Sequence, residues 1–266
     1  MPAPTLTASP PRLRVSAAPL TAEGFAPFGT VISSPLPRNI TTAPQHPSAF
    51  IPPHGPAPVL ANQGSALKYS PISPLQDGYT GTCPSGKAAS ARMSMFSCFP
   101  RKLRSLDDKS SSEVQLNGSS AVFDVRILER HPFTTQTFIP IDLSSKTYAG
   151  GQEEPSFLVI VAPTLKGETA SATDGSGKTV SINDPPDLNN IKAFIARGGQ
   201  AVTYGAGTWH APMVVLGQRR VDFVVVQFVN GVDEEDCQEA AFKEGVMVEL
   251  RADGGVTKGL WQPSKL

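Results

Sequence analysis

Cysteine is scarce in this chain of 266 residues: Cys83, Cys98 and Cys237 stand far apart, odd in number and without a CxxC pair. That spacing argues against a disulfide framework and against a thiolate zinc site, and it fits a reducing compartment. Net charge is missing too. The 23 basic residues balance the 23 acidic ones, so no polyanion-binding surface is expected and nucleic acid is not an expected partner. No apolar run reaches the ~18 residues a membrane-spanning helix needs, so no membrane contact is expected. Met1 to Arg14 also lacks the apolar centre of a signal peptide. A cytoplasmic protein is expected, with an organelle such as the peroxisome as the alternative address. Alternation of strands with long helices is absent as well, which excludes a parallel, doubly wound sheet.

What remains is a set of short apolar segments separated by breaker-rich ones. Residues 1–18 read as a loosely ordered Pro/Ala-rich tail, 19–250 as a single domain and 251–266 as a C-terminal tail. A short helix is expected after Thr21, ending near Phe28-Gly29, then a strand at Thr30 to Ile32. Four polar or Pro/Gly/Ser-rich stretches, 33–58, 72–90, 101–120 and 166–186, read as inserted loops. Strands are expected at 65–69, 91–99, 121–131, 135–140, 157–161, 191–196, 201–204 and 221–229, and a helix at Asp233 to Lys243. Phe157 to Val161 is a continuous apolar run, which predicts burial on both faces. The fold class is therefore all-β in the main, a sandwich or barrel with a few short helices near the ends.

The chemistry is concentrated in one stretch. In a regular strand Phe123, Val125, Ile127, Glu129 and His131 share a face. A carboxylate and an imidazole on a core-facing row cost several kcal/mol unless a partner, a metal or a substrate compensates them. His131 precedes Pro132, and His210 lies two residues before Pro212, so the backbone at each is restricted. His46 and His54 fall in the Pro-rich loop and are expected in solvent. Should the ligand be an anion, Lys68, Arg92 and Arg130 are candidate cations by their proximity to these sequence blocks. Asn62-x-Gly64 before Lys68 offers a turn whose amides face the same anion, which makes Lys68 the preferred one. Arg130 falls on the opposite strand face, where an external salt bridge is expected. Thr134 and Thr135 are candidates for ligand contact or for holding the turn, and Tyr204 and Trp209 for walls of a pocket or core.

Glu129-x-His131-x4-Gln136 resembles the first cupin motif in spacing, with Glu129 in place of its first histidine and Gln136 in place of its glutamate. Gly205-x-Gly207-x2-His210 resembles the second, with Gly205 in place of its proline. The resemblance implies a double-stranded β-helix barrel in which Glu129, His131, Gln136 and His210 converge. It also implies one divalent cation held by those four, of a borderline kind such as nickel, manganese or zinc; no organic cofactor is expected. More narrowly, the blocks from Pro19 to Ile32, Asn62-x-Gly64, Lys68-Tyr69, Leu128 to Pro132, Thr135 to Pro140, Lys192 to Ile195 and Trp209 to Pro212 together resemble the ureidoglycolate lyase family. That resemblance implies a dimeric enzyme splitting ureidoglycolate into glyoxylate and urea in allantoin breakdown, and the four insertions look fungal.

The residues support two versions of the chemistry. With a metal, His131 and His210 are ligands and another group is the base. Without one, either histidine is the base and Glu129 orients it. Two other readings stand beside the lyase: another metal-dependent cupin enzyme, and a non-catalytic barrel that binds a small acid.

Overall fold

The computed structural model describes residues 2–8, 13–105, 120–141, 143 and 156–250. Among these residues short strands dominate. The chain opens with β1 (Thr5–Leu6), β2 (Leu13–Ser16), β3 (Ala18–Pro19), α1 (Ala22–Phe25) and β4 (Gly29–Ile32). A small hairpin of β5 (Val59–Ala61) and β6 (Ala66–Lys68) comes next, then β7 (Ser90–Cys98), β8 (Arg104–Ser105), β9 (Ala121–Arg130), β10 (Gln136–Ile141) and β11 (Ser156–Ala162). The second half holds β12 (Thr169–Thr173), β13 (Thr179–Asn183), β14 (Lys192–Arg197), β15 (Ala201–Tyr204), β16 (Trp209–His210), β17 (Val214–Leu216), β18 (Val221–Val229), α2 (Asp233–Asp236) and β19 (Gln238–Leu250).

Two sheets face each other in a cupin-like, mainly β arrangement. The smaller is antiparallel, in the order β4-β15-β10-β18-β7. The larger runs β13-β12-β1-β19-β9-β16-β11-β14-β3, with β17 on β11, β2 on β19 and β8 on β9. Between the sheets Phe25, Phe138, Phe157, Val159, Val202, Tyr204 and Phe223 form one core. The other face of the large sheet carries a second core with Leu128, Leu158, Ile160, Ile182, Trp209 and Phe242. β11 supplies both, so the apolar run 157–161 is buried on its two faces as its composition predicts. Thr21 caps α1, its hydroxyl accepting from the Gly24 amide at 3.1 Å, and the turn drops Phe25 into the inner core.

Several expectations are corrected. The described residues before position 19 do not form a loose tail: β1 and β2 pair with β19, and β3 pairs with β14. The insertion 166–186 is a hairpin, β12 with β13, continuing the large sheet. The helix expected at Asp233 to Lys243 is one turn, after which β19 pairs with β9. Ala240, Phe242, Val246, Val248 and Leu250 are all buried, a period of two that outweighs the acidic helix start. The row from Phe123 to His131 is interrupted as well. Phe123 and Val125 pack in the same core as Leu128, and the change of facing falls where the β9–β19 pairing shifts register between Ala241 and Val246. Gly245 supplies the positive φ of 124° within this irregularity. Segments 33–58 and 72–90 carry no long element, as expected, although Tyr79 in the second is fully buried. Most of 101–120 and all of 251–266 lie outside the described residues.

Candidate functional site

The site forms where the ends of β9, β16 and β10 meet. His210 of β16 is paired with Glu129 of β9 on one side and with Val161 of β11 on the other. Gly207, at φ +79°, makes the turn before β16 and donates its amide to the His131 carbonyl at 2.8 Å, which ties the two histidine segments together. The imidazole centroids of His131 and His210 are 5.6 Å apart. One donor atom each from Glu129, His131 and His210 lies within 4.8 Å of the others, so these three can hold a metal ion. Gln136, first residue of β10, joins them through Oε1, 3.1 Å from His210 Nε2.

The hydrogen-bond network assigns the tautomers. His131 donates from Nδ1 to the Asp236 carbonyl at 2.5 Å, which leaves a lone pair on Nε2. That nitrogen is buried and has no partner, in a ring only 6% exposed. His210 donates from Nδ1 to the Thr208 carbonyl at 3.0 Å. Its Nε2 therefore faces two oxygens, Oε1 of Gln136 at 3.1 Å and Oε1 of Glu129 at 3.5 Å. Lone pairs meeting lone pairs in a buried space need a positive occupant between them, either a proton on His210 or a cation. Two imidazole nitrogens, a carboxylate and an amide oxygen suit a borderline divalent ion, so the donor set fits the metal that the cupin resemblance implies.

Electrostatics follows this packing. Burial pushes the His131 pKa down, aided by the charge of His210 and opposed by the Asp236 carbonyl and Glu129, to about 4. Burial would raise the Glu129 carboxyl, but the hydrogen bond and charge of His210, then the charge of His131, hold it below the usual carboxylate range. Tyr204 is pushed up by burial and by Glu129, so its hydroxyl keeps its proton. Its ring stacks on His210 at 3.9 Å with 10° between planes, and its hydroxyl has no partner. Trp209 faces the other core and donates to the Asp184 carbonyl at 3.0 Å.

Of the remaining expected residues, Arg92 shares a sheet row with Gln136, and the β5–β6 pair stands apart. A transverse row of the small sheet reads Tyr204, Gln136, Gln227, Arg92: Tyr204 pairs with Gln136, the Gln136 amide donates to Gln227 Oε1 at 2.6 Å, and Gln227 pairs with Arg92 on the exposed edge strand β7. Lys68 and Asn62 are exposed on the β5–β6 hairpin, outside both sheets, with no hydrogen bond or ion pair to the cluster. Thr135 is buried, and its hydroxyl accepts from the Gln76 amide at 3.0 Å. Thr134 accepts from the Phe228 amide at 2.9 Å. Arg130 does lie on the opposite face, but not in solvent. It is 5% exposed, donates to Gln238 Oε1 and the Asn183 carbonyl, and sits 4.9 Å over the Trp209 ring. The β12–β13 hairpin covers that face, which composition alone did not indicate.

Asp236, Cys237, Gln227 and Glu239 escaped the sequence reading. Glu239 pairs directly with Glu129, and the thiol of Cys237 is pushed up to about 12 by burial, then by Glu129, Glu239 and Asp236. The apolar period of two from Ala240 to Leu250 is the signal that would have revealed the strand, and with it Asp236, Cys237 and Glu239.

A sequence model of the ureidoglycolate lyase family matches residues 12–249. The ureidoglycolate lyase of Schizosaccharomyces pombe is 33% identical, covering 90% of this chain and 96% of the relative. That of Saccharomyces cerevisiae is 32% identical over 87% and 95% respectively. The bacterial ureidoglycolate lyase of Pseudomonas syringae pv. syringae is 25% identical over 87% and 92%.

Proposed function

Because the chain belongs to the ureidoglycolate lyase family, we propose that it cleaves (S)-ureidoglycolate to glyoxylate and urea at the cluster of Glu129, His131, Gln136 and His210. The observation that carries this is the unpartnered Nε2 of buried His131, beside a second imidazole and a carboxylate.

Cleavage takes the proton from the substrate hydroxyl, breaks the carbon–nitrogen bond with its electron pair going to nitrogen, and gives that nitrogen a proton. One proton moves from oxygen to nitrogen, and no co-reactant is needed. His131 is neutral near pH 7, since burial and His210 lower its pKa to about 4, so its Nε2 lone pair can accept the hydroxyl proton. His210, between Glu129 and Gln136, is the group that holds a proton for the leaving urea. Tyr204 stays protonated and flat against His210, excluding water from one side. A nickel, manganese or zinc ion held by Glu129, His131, Gln136 and His210 would supply Lewis acidity towards the hydroxyl and carboxylate; His131 and His210 would then serve as ligands, and proton transfer would fall to another group.

For the substrate carboxylate Arg92 has the support of the Tyr204–Gln136–Gln227–Arg92 row, whereas Lys68 with Asn62 has only its turn. The Gln76 contact favours the turn-holding role for Thr135. Met93, Met95 and Ile139 are exposed on the outward face of the small sheet, which supports a homodimer. The free cysteines fit a cytoplasmic protein, and no described helix is long and apolar enough to cross a membrane.

Purified protein given racemic ureidoglycolate should release urea and glyoxylate in equal amounts from one enantiomer. Ammonia release would replace this reading with an amidohydrolase. Firm metal loading without turnover would select another cupin-type enzyme.

A further inference from the structure

We propose that Tyr79 and the carboxylate of Asp236 are positioning residues that set the tautomer of His131, by fixing the backbone carbonyl to which its Nδ1 donates. The inference rests on the reading of His131 as a reactive-site residue.

The geometry is a short chain of bonds. Tyr79 is fully buried and donates its hydroxyl to Asp236 Oδ1 at 2.7 Å. The same oxygen accepts from the Asn230 amide at 2.8 Å, and Oδ2 accepts from the Gly231 amide at 2.7 Å. Three donors thus pin the side chain of a residue whose own carbonyl takes the His131 Nδ1 proton. The segment that carries Tyr79 also grips the chain just after His131. The Gly78 amide donates to the Phe133 carbonyl at 2.7 Å, Gln76 bonds Thr135, and the Tyr79 and Phe133 rings lie 5.4 Å apart. A side chain at position 78 would put Cβ 2.9 Å from that carbonyl, so a glycine allows the close approach.

An imidazole can carry its one proton on either nitrogen. If the Asp236 carbonyl drifts, the proton can move to Nε2, and the lone pair that faces Glu129 and His210 is gone. Outer partners of this kind fix the ring orientation and strengthen the basicity of the nitrogen opposite. A hydroxyl one residue removed from any reactive group therefore decides whether Nε2 is open.

Tyr79→Phe removes that hydroxyl and keeps the ring. In chelator-treated protein, the imidazole 15N shifts of His131 should report the Nδ1-protonated form in the unsubstituted chain and a mixture in the variant. The affinity for Zn2+ alone should fall about tenfold, and kcat should fall with KM little changed. Should Tyr79→Phe not fold, Asp236→Asn, which sets an amide against the Gly231 amide, should give the same mixing. A lower Tm with an unmixed tautomer and unchanged Zn2+ affinity would overturn the proposal and leave Tyr79 a packing residue. The 15N result does not depend on turnover, so tautomer mixing in a protein inactive on ureidoglycolate would retain the relay and discard the proposed reaction.

Discussion

Glu235, buried within α2, and Glu129, half-buried near the end of β9, are two carboxylates whose surroundings could hardly differ more. Glu235 accepts from the Ser85 amide at 2.6 Å, the Ser85 hydroxyl at 2.7 Å and the Asn230 side chain at 2.6 Å. Its oxygens meet donors, so the site is complete and chemically quiet. Glu129 meets His210 Nε2, which in turn faces the Gln136 oxygen, while His131 Nε2 has no partner. There acceptors face acceptors. A protein can bury a charge for structure by surrounding it with donors; leaving the donors out keeps the space ready for something else, and a reactive site differs from a structural one in that omission.

The comparison can be broken most severely at the histidines. His131→Ala and His210→Ala should each lower turnover by about a hundredfold or more, the scale of lost acid–base help, with far-UV circular dichroism unchanged; full activity in both would empty the site of meaning. Acid stability comes next. His131 has a folded pKa of about 4 against an ordinary 6.5, so the unfolded chain binds the proton more readily. Stability from this group is complete above pH ~6.5 and is lost as pH falls towards ~4, by at most about 3 kcal/mol. Glu129, also held low, adds a loss of the same sign at the acid end. Urea unfolding of metal-free protein between those pH values should show this slope, and His131→Ala should flatten it. Glu235→Gln tests the quiet side: Tm should drop by a few degrees while turnover per folded molecule stays within about twofold. The mildest test concerns the mouth. Arg92→Ala should raise KM by about tenfold through a lost charge-assisted bond, and Lys68→Ala should leave it within about twofold. The reverse result would move the carboxylate contact to the β5–β6 hairpin.

The candidate cluster was legible because spacing survives substitution. Glu129, His131, Gln136 and His210 hold positions that a cupin barrel turns inward, and three of them come together within 4.8 Å. Strands of six to ten residues such as β9, β10 and β11 were readable from their apolar positions. Those of two to four, like β1, β2 and β3, have too few residues to show a period; they exist because longer strands offer an edge. Arg130 could not be assigned to a buried place because its cover, the hairpin ending at Asn183, arrives only through tertiary packing. Asp236 acts on His131 with a main-chain carbonyl, and every residue type has one, so nothing in its identity advertises the role.

The pairing of Thr5 with Ala241 and of Leu13 to Ser16 with Val246 to Glu249 bears on how this protein can be engineered. Trimming the first eighteen residues as a dispensable leader would strip β19 of two neighbours and uncouple the β12–β13 hairpin from the sheet. The bared margin would offer its amides and carbonyls to any other molecule in solution, and such margins recruit copies of themselves into insoluble assemblies. Affinity handles attached ahead of Met1 by a flexible spacer leave that seam closed.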